Sequence, residues 1–437
     1  MDMITYLKDI IDLSPFVGSV AVSGVRRNPL KVDAARFLPL LEGKADKAAY
    51  FEDGYRLLSE KEGMGNTPLH MAGGCYFQEP SAMSAVTAMD VKNGDKVLDL
   101  CAAPGSKATA LAALNPDGIT VANEIHPKRA QILVSNMERM GISSALITHS
   151  DAEGLERAFG SYFDKILVDA PCSGEGMFRK YPEILKDWTE ELVTYCARRS
   201  REILEYAAAM LRPDGRLVYS TCTFNAEENE KNILDFLQSH PEFEVVDSGI
   251  KGAHSGLYGL EKAARIFPDQ NGEGHFVCAL HKRADAPENS VKISCFTDCK
   301  ALPSLQEMLS SCVQMPLVFY GGQRQYVCRE SGQNVYLIPS DLPNPQKVHI
   351  LRAGVQAAQL KGKTYVPCHH LYTATPVERF TSILTVDDAA AGAFFRGETL
   401  PCDGRGFTAV VWNGLCLGFG KAVDGTLKNY YPKGLRI

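Results

Sequence analysis

Tryptophan is scarce in this chain: Trp188 and Trp412 are the only two in 437 residues. Both are expected to pack rather than to serve as base-stacking platforms. Long apolar runs are absent as well. No window of about 18 apolar residues occurs, so no segment reads as a membrane span. The opening stretch MDMITYLKDIIDLSPF interleaves Asp2, Lys8, Asp9 and Asp12 with apolar residues. It therefore lacks the basic start and unbroken apolar core of a secretory signal. The thirteen cysteines lack the dense paired spacing of a disulfide scaffold, so reduced thiols in a cytoplasm are expected. Cys295, Cys299, Cys312 and Cys328 form no C-x-x-C pairs, and no metal is expected. Internal repeats and low-complexity tracts are missing.

A basic surplus is also lacking, since the formal net charge is -6. Its distribution is uneven. From His349 onward ten basic residues face six acidic ones, leaving +4 there and -10 on the rest. A locally basic module on an acidic body is compatible with phosphate contacts. With 45% apolar and 22% charged residues the composition is that of an ordinary globular protein. The length suggests two or three domains at about 150 residues each.

The middle of the chain alternates short β-branched runs with helical patterns. KVLDL (96–100), ITVAN (119–123), ALITH (145–149), KILVD (165–169), RLVYS (216–220), FEVV (243–246) and HFVCA (275–279) read as strands. Helices are predicted from Pro127 to Met140 and from Glu190 to Leu211, the second capped by Thr189. This alternation predicts an α/β domain over roughly 70–285, a parallel sheet covered on both faces. The stretch 60–74 reads as loop-rich, 281–290 as a linker, and Asn413-Gly414 as a hairpin turn.

In an open α/β sheet ligands bind beyond the carboxyl ends of the strands. After the first strand comes Cys101-Ala102-Ala103-Pro104-Gly105-Ser106-Lys107, a turn of small residues that opens a helix. Glu124, Asp151 and Asp169 end the next three strands. An acid after the second strand suits a ribose diol, so a nucleoside-containing cofactor is expected. The loop is neither G-x-G-x-x-G nor a P-loop, which argues against a dinucleotide or a nucleoside triphosphate. Two thiols, Cys172 and Cys222, follow strands four and five and point into the same crevice. Asn225 and Glu228 resemble a helix-capping pair just beyond Cys222. Cys101, Cys196 and Cys278 are expected to be buried hydrophobes, and His369 and His370, next to Cys368, loop residues rather than ligands.

A cofactor crevice with two thiols suits methylation of a pyrimidine carbon. Thiolate addition at C6 makes C5 of cytosine nucleophilic, and the thiol leaves once the C5 proton is removed. S-adenosylmethionine fits as methyl donor. Composition and spacing leave open which thiol attacks. A DNA-type cytosine methyltransferase would use Cys172 with an E-N-V motif, and no E-N-V occurs.

LDLCAAPGSKATAL, VANEIHPKRAQIL, ILVDAPCSGEGMFRK and LVYSTCTFNAEENE resemble the successive motifs of the Sun/Fmu-type RNA cytosine-C5 methyltransferases, RsmF-like branch. GCYFQEPSAM (74–83) and RIFPDQNGEGHFVCAL (265–280) resemble segments flanking that core. LRAGVQAAQLKGKTYVPCHHL and GFGKAVDGTLKNYYPKGLR resemble the branch's C-terminal pieces, the second being PUA-like. The resemblance implies a Rossmann-like S-adenosylmethionine-dependent methyltransferase domain over 70–285 and an accessory RNA-binding domain over 1–69. It implies a first C-terminal domain over 286–375 and a PUA-like RNA-binding domain over 376–437. It implies a monomer acting on ribosomal RNA or the small ribosomal subunit, with no membrane. S-adenosylmethionine would be held by Cys101, Ala102, Ala103, Pro104, Gly105, Ser106, Lys107, Glu124, Arg129, Asp151 and Asp169. Cys222 would attack C6 and Cys172 would assist product release. Asp169 would contact the cytosine edge, and Lys107 would lie near the reacting base. Ser106 stands where the family usually has Gly, and Asp269 where His is common.

Overall fold

The structure is a computed structural model that describes residues 2–58, 64–298 and 303–437. Residues 60–63 of the loop-rich stretch, and Cys299, lie outside the described residues. Five parallel strands form the centre: Lys96–Asp99, Ile119–Asn123, Ala145–His149, Phe163–Asp169 and Leu211–Thr221. Their spatial order is third, second, first, fourth, fifth. The order reverses between the first and fourth strands, which opens a crevice outside their carboxyl ends. His275–Lys282 runs antiparallel beside the fifth strand, and Phe243–Val246 pairs with it. The strands are largely apolar because both of their faces are covered. Leu98, Val121, Ile166, Val168 and Leu217 are buried on one face, and Val97, Leu167 and Val218 on the other.

The covering helices follow their sequence signals. Pro127 opens Pro127–Arg139, and Thr189 Oγ1 accepts the Leu192 N–H at 3.1 Å to cap Glu190–Met210. The turn before Ser106–Leu114 requires glycine: Gly105 has φ +109°.

The flanking segments are interwoven with this domain. An antiparallel sheet in the order Ala45–Lys47, Gly54–Leu57, Gly24–Arg27, Cys75–Phe77 continues across residue 69, because Val25 pairs with Phe77. His349–Ala353 adds an antiparallel strand to the outer edge of the central sheet, beside Ala145–His149. A five-stranded sheet built on the hairpin Gly406–Trp412/Leu415–Val423 closes the chain, with Asn413 (φ +45°) and Gly414 (φ +71°) in the turn. One face of that sheet shares a core with the N-terminal sheet. Val25, Phe37 and Tyr55 pack in one cluster with Phe394, Phe395, Val410 and Leu417. The other face packs on the segment before it, where Tyr372 stacks on Phe419 with centroids 4.4 Å apart.

Two local expectations are corrected. His369 and His370 are not loop residues: they open the helix His369–Ala374, because Leu371 and Tyr372 are drawn into the core. The helix after Cys222 begins regularly only at Glu230. Asn225 Oδ1 does accept the Glu228 N–H at 2.8 Å, but the Glu228 carboxylate goes to Ser173 and the Asn225 side-chain amide, and the Asn225 backbone N–H goes to Glu175 instead. Trp188 is buried and gives its indole N–H to Glu175, and Trp412 gives its own to Asp388. Among the described residues no helix is long and apolar enough to cross a membrane, and no His/Cys/Asp/Glu group is placed to hold a metal ion.

Candidate active site

A cavity of about 580 Å³ opens at the strand-order reversal. Of the residues singled out in the sequence, Cys101, Ala103, Glu124, Arg129, Asp169, Cys172 and Cys222 line it. Glu124 is only 3% exposed. Its Oε1 accepts the His126 N–H at 2.8 Å, and Arg129 lies 3.5 Å from Oε2. Arg129 also donates to the Ala103 carbonyl at 2.8 Å, so it ties the second strand's end to the small-residue turn. Ala102 and Gly105 are buried behind that turn, Pro104 is exposed, and Ser106 is half-buried. From below, buried Arg26 donates to the Ser106 carbonyl and to Thr109 Oγ1 (3.2 and 2.8 Å), so the N-terminal sheet braces the turn directly.

Asp151 is placed differently. It is exposed, and its Oδ1 accepts the Gly154 N–H at 2.7 Å, capping Ala152–Phe159. Its neighbours Ser150 and Ala152, not its side chain, line the cavity. Asp269 is also exposed, in the short turn Pro268–Gln270.

At the inner end Lys107 Nζ lies 2.8 Å from Asp169 Oδ2, and Ser220 Oγ donates to Asp169 Oδ1 at 2.8 Å. Burial pushes the Asp169 carboxyl up, but the Lys107 charge and the hydrogen bonds from Lys107 and Ser220 outweigh it and hold it below its ordinary value. Lys107 rises above its ordinary value because the Asp169 charge outweighs its burial. His275, 3.8 Å from Asp169, is pushed down to about 3 by burial and by Lys107, so its ring is neutral. Beneath them Asp99 is buried with neither oxygen hydrogen-bonded to a side chain. Burial and Asp169 push it up to about 8, so it is a neutral carboxylic acid at pH 7.

The two thiols meet at the cavity wall, Cys172 Sγ 3.4 Å from Cys222 Sγ. The hydrogen bond to Cys222, and burial, raise the Cys172 thiol well above its ordinary value, so Cys172 keeps its proton. Cys101 is likewise pushed up, chiefly by burial, and is no nucleophile at neutral pH.

Sequence reasoning missed several lining residues. Tyr195, Arg199 and Ile203 form one wall. Their spacing of four along Glu190–Met210 was the available signal. Ser220, His275 and Asp99 carried no such signal, because only the sheet's strand order brings them beside Asp169.

A doubly wound sheet, a small-residue turn after its first strand and a buried acid after its second define a methyltransferase of the Rossmann-like, S-adenosylmethionine-dependent fold. Comparison with known proteins narrows this. Residues 86–281 match the family model for the 16S rRNA methyltransferase RsmB/F, and residues 381–437 match that for the methyltransferase RsmF PUA domain. The chain is 32% identical to ribosomal RNA small subunit methyltransferase F of Vibrio campbellii, over 99% of this chain and 95% of that one. Its counterpart in Klebsiella pneumoniae is 33% identical, over 94% of this chain and 89% of that one. Among solved structures, a methyltransferase homolog protein from Pyrococcus horikoshii is 28% identical with a TM-score of 0.53, covering 60% of this chain and 87% of that chain. NSun6 from Pyrococcus horikoshii, solved with SFG, shares the fold at 20% identity and a TM-score of 0.56, covering 64% of this chain and 97% of that chain. The chain belongs to the RsmB/F family of ribosomal RNA methyltransferases, in the branch that carries the RsmF PUA domain.

Proposed function

We propose that this protein methylates C5 of a cytosine in small-subunit ribosomal RNA, with Cys222 as nucleophile and Cys172 assisting release. The observation that carries the reading is the 3.4 Å approach of two thiols on the wall of a cofactor-sized cavity. The residues present fit S-adenosylmethionine: buried Glu124 offers a carboxylate to a ribose diol, and the small-residue turn lets a ligand approach the backbone. S-adenosylmethionine, when bound, supplies the methyl group.

The chain's own residues divide the remaining work. The target base leaves its stack to reach the crevice, at a cost of a few kcal/mol. Asp169, kept ionised by Lys107, offers acceptors to the exocyclic amine on the cytosine edge. Cys222, after its thiol proton passes to solvent, bonds through Sγ to C6, and the C5=C6 electron pair moves to C5, which becomes the nucleophile toward the methyl group. After transfer the C5 proton is lost to a base and the C6–S bond breaks. Cys222 then departs as a thiolate, and the protonated Cys172 is placed to hydrogen-bond it.

Mapping 5-methylcytosine in ribosomal RNA from cells with and without the protein tests the reading. A cytosine methylated only in its presence, and methylated by purified protein on naked RNA or assembled subunits, is expected. Identical maps together with an inert purified enzyme would overturn it.

A further inference from the structure

The loops that carry the two thiols are joined behind the sulfurs by a buried lattice of hydrogen bonds. Ser173 follows Cys172 and Thr223 follows Cys222, and their hydroxyl oxygens lie 2.7 Å apart. Each loop also sends a glutamate into the other. Glu228, from the Cys222 side, accepts the Ser173 N–H at 2.8 Å and the Ser173 hydroxyl at 2.5 Å. Glu175, from the Cys172 side, accepts the backbone N–H groups of Phe224 and Asn225 at 2.7 and 2.8 Å. Asn225 joins the two carboxylates, its Nδ2 lying 2.9 Å from Glu175 Oε1 and 2.6 Å from Glu228 Oε1. Glu175, Asn225 and Glu228 are each 0% exposed.

Two carboxylates with no solvent contact are costly to keep for stability alone, since apolar side chains of similar volume serve a core as well. Apart from the Trp188 indole N–H on Glu175 Oε1, every bond in this lattice runs between the two cysteine loops or within the turn that carries Cys222. None reaches the cavity. The lattice therefore acts on the sulfurs through the backbone beside them.

We propose that Glu175 and Glu228, through Ser173 and Thr223, are positioning residues that hold Cys172 at the working distance from Cys222 for the release step. This rests on the division of labour between the thiols proposed above. Attack by Cys222 needs only Cys222 and the base. Release needs both sulfurs in register, so loosening the lattice slows release more than attack.

Ser173→Ala and Thr223→Ala remove the hydroxyl bridge with little change of volume, and Thr223→Ser restores it. Each is assayed for turnover, for S-adenosylmethionine KM and for protein–RNA adduct that survives denaturing electrophoresis, with Cys172→Ala in parallel. The two alanine variants are expected to lose about tenfold in turnover, the effect of one buried hydrogen bond. KM for S-adenosylmethionine stays unchanged, adduct accumulates, and Thr223→Ser behaves as wild type. If Cys172→Ala traps adduct and the alanine variants lose turnover without trapping any, the inference fails while the assignment of the thiols stands. If Cys172→Ala traps none, that assignment fails first. Wild-type turnover in both alanine variants also overturns the inference. Should an alanine variant fail to fold, Glu228→Gln carries the same readout.

Discussion

Cys172 and Cys222 stand fifty residues apart in the chain, and their sulfurs are 3.4 Å apart in the fold. They follow the fourth and fifth strands, which are hydrogen-bonded neighbours in register, with Asp169 opposite Ser220. Parallel pairing sets both loops at the same edge of the sheet.

The first prediction separates the two thiols. Cys222→Ala abolishes methylation and forms no covalent adduct. Cys172→Ala attacks, methylates and then stalls as a protein–RNA adduct, visible by denaturing electrophoresis. The reverse pattern would assign the nucleophile to Cys172.

Glu124 supplies the second. Glu124→Ala weakens S-adenosylmethionine binding roughly tenfold to a hundredfold, as expected for hydrogen bonds to a charged acceptor. Calorimetry with the purified protein measures it, and unchanged affinity would remove Glu124 from the site.

A third concerns RNA binding by the C-terminal sheet. Lys421 and Lys428 face each other directly across two strands, and both are exposed. Opposed like charges are unfavourable until an anion bridges them. The double substitution Lys421→Gln/Lys428→Gln should weaken RNA binding and reduce the salt slope by about 1.4, or about 0.7 for each single-strand phosphate contact. Titrations at several salt concentrations read the slope. Equal slopes for variant and wild type count against the patch.

The shared core yields a fourth. Phe394 is fully buried among residues of the N-terminal sheet and the C-terminal sheet. Phe394→Ala should cost about 3–5 kcal/mol. Deleting residues 376–437 should open 24–57 to proteolysis, because Val25 and Phe37 lose their cover. Limited proteolysis with an intact N-terminal segment in the deletion would contradict a shared core.

Asp99 gives a pH dependence. Its carboxyl rises from an ordinary 3.8 to about 8 on folding, so between those values the folded chain binds more protons than the unfolded one. This contribution lowers stability as pH rises through that window. Asp99→Asn, which mimics the neutral acid, should lose less stability than wild type between pH 5 and pH 9. Urea unfolding midpoints at the two pH values test it, and parallel losses would refute it.

The strands and helices of the central domain were legible because their period and caps are local properties. Thr189, Pro127 and Asn413-Gly414 act on the backbone within a few residues. That the small-residue turn and Glu124 would border a cavity was legible because the crevice of an α/β sheet opens at its strands' carboxyl ends. Asp151 carried the same signal, yet its carboxylate caps its own helix. A strand-end acid can spend its lone pairs on either task, and only the course of the next turn decides.

What the sequence by itself determined was the alternation of strands and helices and the chemistry at each strand end. Tertiary structure alone decided which ends meet. Strand order brought His275, Ser220 and Asp99 to Asp169, and it set the thiols side by side. It also decided that the N-terminal and C-terminal sheets share a core and that His349–Ala353 completes the central sheet. The physical reason is that pairing and burial depend on surfaces far apart in the chain. Each segment's own pattern shows an apolar face without showing what will cover it.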